Sequence, residues 1–130
     1  MTTFPRGTEF PHEGFVHASV REHFEANGYV NETTGYIDFL FRCPKTNEQW
    51  RIEAKGATTD VGLDFRTGIG QCIQGVSDEI AKYAIAFPVT DQFLRQARKV
   101  APWVRIRLNL HWVMVNANGT VRVVNPSEEL

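Results

Sequence analysis

Cysteine is nearly absent: Cys43 and Cys72 stand alone, form no CxxC and join no metal-ligand quartet. That excludes a disulfide framework and a zinc ribbon, and makes reduced thiols in a cytoplasmic protein the expectation. The four histidines show neither HxxxH nor HxH spacing, so zinc is not expected either. Neither sign of charge dominates, with 14 Lys and Arg against 15 Asp and Glu. A strongly basic coat or histone-like binder is therefore excluded, and any contact with nucleic acid needs a local patch. Long apolar runs are missing too. The longest lie near Ala84–Val89 and Trp112–Val115, far below membrane-spanning length. The opening MTTFPRGTEFPHEG has no charged segment leading into an apolar one, so no signal peptide is expected. No internal repeat occurs, and 6 Pro and 10 Gly are too few for a collagen-like or low-complexity chain. What is present is 42% hydrophobic and 12% aromatic residues over 130 positions, which predicts one globular domain spanning 1–130.

Apolar periodicity orders the elements. Val16, Val20 and Phe24 recur at helical spacing between His12 and Asn27, with Gly28 as the residue that ends the helix. Tyr29–Thr33 reads as a short strand. Tyr36–Cys43 alternates, with Ile37, Phe39 and Phe41 on one side, and Trp50, Ile52 and Ala54 alternate against Arg51, Glu53 and Lys55. Pro44-Lys45-Thr46-Asn47 between them has the composition of a tight turn. Asp64–Ser77 reads as a helix burying Phe65, Ile69, Cys72, Ile73 and Val76. Tyr83–Phe87 is an apolar strand, Thr90 caps a helix running through Val100 and stopped before Pro102, and Arg107–Asn116 with Thr120–Val124 forms a closing hairpin. Pro126–Leu130 is expected to fray. The order αβββαβαββ predicts a mixed α/β fold, one sheet with helices on its faces.

The chemistry concentrates in the first hairpin. A turn placing Pro44 opposite Asn47 sets Leu40 across from Arg51 and Asp38 across from Glu53, with Cβ atoms roughly 4.5–5.5 Å apart. Lys55, two residues on, emerges on the same face. Two opposed carboxylates repel each other, and Lys55 offsets only part of that cost. A divalent cation held by hard oxygen ligands would offset the rest, and a carboxylate pair suits Mg²⁺, which borrows further ligands from water and substrate phosphate. Such a site serves phosphodiester hydrolysis, with Lys55 orienting the attacking water or stabilising the charged transition state. The same residues also read as a solvated polar face of a half-buried ribbon.

An Asp on one strand followed by Glu53-Ala54-Lys55 on the next, within an αβββαβ order, resembles the PD-(D/E)XK nuclease superfamily, which includes restriction enzymes, Holliday-junction resolvases and RecB-type nucleases. The resemblance spans roughly Glu13 to Phe87, leaving an extra C-terminal helix and hairpin. It departs in one respect, since Ile37 stands where the motif name has Pro. The resemblance implies a restriction endonuclease-like fold and a Mg²⁺-dependent DNA endonuclease in which Mn²⁺ substitutes. The metal ligands would be Asp38, Glu53 and the Ala54 main-chain carbonyl, joined by Glu13 where the first helix supplies an acid, with His17 one turn beyond it. Arg66-Thr67-Gly68-Ile69-Gly70-Gln71 resembles the family's helix after the Glu-x-Lys strand, and Gln71 would approach the active site.

Arg95, Arg98 and Lys99, followed by Arg105 and Arg107, make a candidate phosphate-binding stripe; a solvated helix face is the other reading. Arg66 is the candidate for gripping the phosphate beside the scissile bond. Trp103 and Trp112 read either as base-stacking residues or as core. DNA is the expected partner, with no membrane and no organic cofactor. A single compact domain cutting a duplex would act as a homodimer or as a nickase, and a junction-selective substrate fits its size. The alternative is a catalytically inactive nuclease-fold protein that binds nucleic acid or protein.

Overall fold

The computed structural model describes residues 7–33 and 38–130. Helix α1 (Glu13–Ala26) buries Val16, Ser19, Val20 and Phe24. It ends as its sequence predicts: Gly28 takes φ 90°, a region costly for side-chain-bearing residues, and its N–H donates to Glu25 O. Strands β1 (Val30–Asn31), β2 (Phe39–Arg42) and β3 (Gln49–Ala54) form an antiparallel meander. The register is the expected one, with Leu40 opposite Arg51 and Phe39 opposite Ile52. The turn closes where Asn47 adopts φ 64° and donates to Cys43 O at 2.7 Å. Tyr36 and Ile37, placed by periodicity at the start of the strand, lie outside the described residues.

Helix α2 (Val61–Gln74) carries the chain to β4 (Lys82–Pro88), parallel to β3; α3 (Asp91–Ala97) and α4 (Pro102–Leu108) carry it to β5 (Leu110–Val115), parallel to β4; β6 (Val121–Val124) closes the hairpin. The result is a six-stranded mixed sheet in sequential order β1 to β6, flanked by four helices. The expected αβββαβ core is present. On one face, Val16, Val20 and Phe24 of α1 pack on Phe39, Phe41, Trp50, Ile52 and Ala54. On the other, Phe65, Phe93 and Ala97 pack on Tyr83, Ile85, Phe87, Trp112 and Met114. β4 and β5 are buried on both sides, which accounts for their unbroken apolar runs. No helix among the described residues is long and apolar enough to cross a membrane.

Several expectations need correction. α2 begins three residues early because Asp60 caps it, its carboxylate accepting from Leu63 N–H at 3.0 Å. The helix ends at Gln74, and Ile73, on its outer side, and Val76, beyond it, are exposed while Phe65 and Cys72 stay buried. Pro102 starts a second helix instead of ending the first: at the first helical position its missing N–H has no intrahelical partner to lose. Arg107 is therefore helical, and Asn109, at φ 53°, makes the break before β5. The C-terminal segment is anchored rather than frayed. Arg105, only 2% exposed, donates to the carbonyls of Val124, Asn125 and Glu128 and lies over the Trp112 ring, and Leu130 packs on the core. That burial removes Arg105 from the predicted surface stripe.

Candidate active site

Asp38 immediately precedes β2, Glu53 is the penultimate residue of β3, and Lys55 follows that strand. Continuing the β2–β3 register by one pair sets Asp38 opposite Glu53. Asp38 Oδ2 accepts from the Ala54 N–H at 2.9 Å, which fixes the carboxylate against the end of β3. Its Oδ1 is 3.6 Å from His17 Nε2, and His17 in turn lies 3.9 Å from Glu13 Oε2. Glu13 and His17 are one turn apart on α1, so that helix presents both to the same strand ends. The His17 ring rests on Phe39, centroid to centroid 4.9 Å.

Glu53 is only 8% exposed. Burial, and then the negative charge of Asp38, push its carboxyl up to about 7; Lys55 opposes this, while a hydrogen bond with Asp38 and the charge of Glu13 add to it. Near neutral pH the Glu53 carboxyl is therefore poised between its protonated and ionised forms.

Two glycines let the cluster assemble. A Cβ at Gly68 of α2 would lie 3.1 Å from Lys55 Cγ and 3.3 Å from its Cε, so the lysine stem runs along bare helix backbone. A Cβ at Gly56 would fall 2.1 Å from the Glu13 nitrogen and 2.4 Å from its Cα. Only a glycine there lets the start of α1 touch the end of β3. The main chain on either side is tied down, by Lys55 N–H to Ala86 O at 2.8 Å and Ala57 N–H to Pro11 O at 2.9 Å.

Gln71, one turn beyond Gly68, lines a cleft with Arg51, Glu53, Cys72, Gly75 and Tyr83. Arg51 was not among the expected site residues, although its alternation with Glu53 and Lys55 puts it on the same face. Its Nε is buried and has no hydrogen-bond partner among the described residues. Arg66 is not brought to the cluster. It leaves α2 roughly 160° around the helix from Gly68, and its Nη1 lies beside Gly62, next to Gln96 of α3. Arg95, Arg98 and Lys99 are exposed around the end of α3.

No three His, Cys, Asp or Glu side chains among the described residues form a metal-holding group. The donor set is a carboxylate pair with the Ala54 carbonyl adjacent in the chain. It suits a hard cation that keeps most of its water, as Mg²⁺ does, and not a cation that needs a complete protein cage. Burial first, and then the charge of Asp38, raise the Glu53 carboxyl, so ionising it in this site is costly without a compensating positive charge.

No protein-family model matches the chain, and no curated protein matches it by sequence. Solved structures do share its fold. One is an XisH family protein from Nostoc punctiforme, with a TM-score of 0.55, 14% identity, and coverage of 85% of this chain and 98% of that one. Another is a FdxN element excision controlling factor protein from Anabaena variabilis, with a TM-score of 0.57, 14% identity, and coverage of 86% and 99%.

Proposed function

We propose that this chain is a metal-dependent endonuclease that hydrolyses phosphodiester bonds in DNA through a PD-(D/E)XK-type site. The observation that carries the reading is the convergence of Asp38, Glu53 and Lys55 at the ends of β2 and β3, with a carboxyl that burial and a second carboxylate hold up to about 7. A likeness in fold to a protein described as an FdxN element excision controlling factor is consistent with work on a nucleic-acid backbone.

Asp38, Glu53 and the Ala54 carbonyl would hold Mg²⁺ or Mn²⁺, with Glu13, behind His17, adding to the negative charge of the site. When bound, the cation supplies a water of lowered pKa and neutralises charge on the attacked phosphate. Asp38 is oriented for this by the Ala54 N–H and His17. Lys55, laid along Gly68, holds a positive charge beside the reacting phosphate and orients the water. Gln71, exposed on α2 beside the adjoining cleft, would offer a hydrogen bond to a phosphate oxygen, while Arg51, its Nε buried, lines the water-sized space beneath. Acting on a duplex, the protein nicks as a monomer or cuts both strands as a homodimer.

Purified protein with supercoiled plasmid and Mg²⁺ or Mn²⁺ is expected to produce nicked or linear products. EDTA should abolish them, and Lys55→Ala should lower the rate by at least about 10²-fold, the low end for removing a positioned catalytic group. A panel of duplex, single-stranded, flap and four-way-junction DNA, with RNA counterparts, then identifies the substrate. Metal-dependent binding without cleavage of any of them would replace this reading with the inactive binding subunit.

Gly68→Ala separates site geometry from fold. Alanine raises helix propensity by up to about 1 kcal/mol, and the new methyl presses on a flexible lysine stem and not on backbone. The variant is expected to melt within a few degrees of the parent while losing roughly 10-fold or more in cleavage rate, because small misplacement of a catalytic group is costly. Unchanged cleavage would mean that Lys55 does not act from this position.

A further inference from the structure

We propose that the corner formed by α3 and α4 binds an unpaired nucleic-acid strand, with Trp103 stacking on a base and Arg98, Lys99 and Arg107 neutralising the neighbouring phosphates. The class of ligand rests on the nuclease reading; the surface itself is argued from its own residues.

Charge is unevenly distributed along the chain. The segment from Gln92 to Ser127 contains six of the 14 Lys and Arg and none of the 15 Asp and Glu. Of those six, Arg105 is buried and Arg122 pairs with Glu128 at 3.4 Å. The other four, Arg95, Arg98, Lys99 and Arg107, are exposed and enter no ion pair among the described residues. These four cations thus cluster around α3 and α4, a local excess of the kind a polyanion recognises in a chain without net positive charge; the acids beside them are Asp91 at the start of α3 and Glu129, which lines a cavity with Arg98 and Pro102.

An indole sits within this surface. Trp103 is 65% exposed, whereas Trp50 and Trp112 are 5% and 0% exposed. Ile106 and Arg107 lie three and four residues on, so all three share the outward face of α4. Arg105, pointing the other way, fastens the helix through its three carbonyl contacts and the Trp112 ring. Trp103 is thus an aromatic platform on an anchored backbone, needing little further ordering to bind. Stacking requires a free base face, which a duplex covers and an unpaired strand presents, and a flanking row of cations follows the phosphates. α3 and α4 cover the same sheet face as α2, and Arg66 beside Gln96 continues the cations from α3 along the α2 seam. A strand held at the corner would then run along the side of the sheet that bears Glu53 and Lys55.

The test follows tryptophan fluorescence in EDTA, so that no hydrolysis intervenes. Since two of the three tryptophans are buried, a short oligothymidylate is expected to quench chiefly Trp103, and its duplex counterpart to quench little. Trp103→Ala should weaken binding, followed by anisotropy of a labelled oligonucleotide, roughly 5- to 100-fold, and Trp103→Phe should keep most of it. Affinity should fall with salt with a log–log slope of about −2 to −3, and Arg98→Ala or Arg107→Ala should each flatten that slope by about 0.7. Unaltered affinity in Trp103→Ala, or no quenching by any oligonucleotide, would overturn the proposal. So would gel filtration showing that Trp103→Ala turns a dimer into a monomer without affecting oligonucleotide binding, which would make the face a protein interface. If the parent binds but cleaves nothing, the nuclease reading falls and this one stands; if it cleaves and Trp103→Ala binds unchanged, the reverse holds.

Discussion

Gly56→Ala is expected to destabilise the protein by about 3 kcal/mol or more, at the top of the range for overpacking. The added methyl would sit 2.1 Å from the Glu13 nitrogen and 2.5 Å from the His12 carbonyl carbon. Both are main-chain atoms at the start of a helix, so no side-chain rotation relieves the clash. Either α1 slides off the end of β3 or the chain bends away from Ala86 and Pro11, to which Lys55 and Ala57 are hydrogen-bonded. Chemical denaturation measures the loss. A variant that still folds should also show reduced metal affinity, because moving α1 takes Glu13 and His17 away from Asp38. A midpoint equal to the parent's would show that α1 does not rest on Gly56.

The second large effect is a stabilisation. Glu53→Gln should make the metal-free protein more stable at pH 8 by on the order of 2–3 kcal/mol, while abolishing metal-dependent cleavage. The folded Glu53 carboxyl is held up to about 7, against 4.5 for the free side chain. Between those values the folded chain keeps a proton that the unfolded chain releases. Its contribution to stability is therefore complete below about pH 4.5 and is lost as pH rises through about 7. Glutamine retains hydrogen-bonding capacity and never ionises. His23 and His111 work in the opposite direction, because burial lowers their pKa and their contribution grows as pH rises toward 6.5. The difference between the two proteins' stability–pH curves isolates Glu53. Millimolar Mg²⁺ should restore stability to the parent above pH 7 and do nothing for Glu53→Gln, since a ligand that binds only the folded state shifts the balance toward it. Parallel pH curves would show that neither burial nor Asp38 raises the Glu53 carboxyl in the folded protein.

The hairpin that carries Asp38 and Glu53 was legible because it rests on local rules. Alternation of Phe39 and Phe41 against Trp50, Ile52 and Ala54 leaves one way to bury an apolar face, and slipping one residue would turn every one of those rings to the other side. The Pro44–Asn47 turn then sets the pairing. Helix α1 was legible for a similar reason, with Val16, Val20 and Phe24 on one stripe and Gly28 at its end. Pro102 misled because the residue that stops one helix also suits the first position of the next, and local sequence does not say which.

By itself, then, the sequence determined which residues share a strand face, the Asp38–Glu53 register and the order of elements, because each follows from side-chain periodicity and turn chemistry within a few residues. Only the tertiary structure decided that His17 reaches Asp38, that Gly68 receives Lys55, that Arg51 lines the cleft, and that Arg105 is buried while Trp103 is not. Those contacts join residues from different elements. They depend on which helix face meets which end of the sheet, and that choice is made by packing the whole core at once.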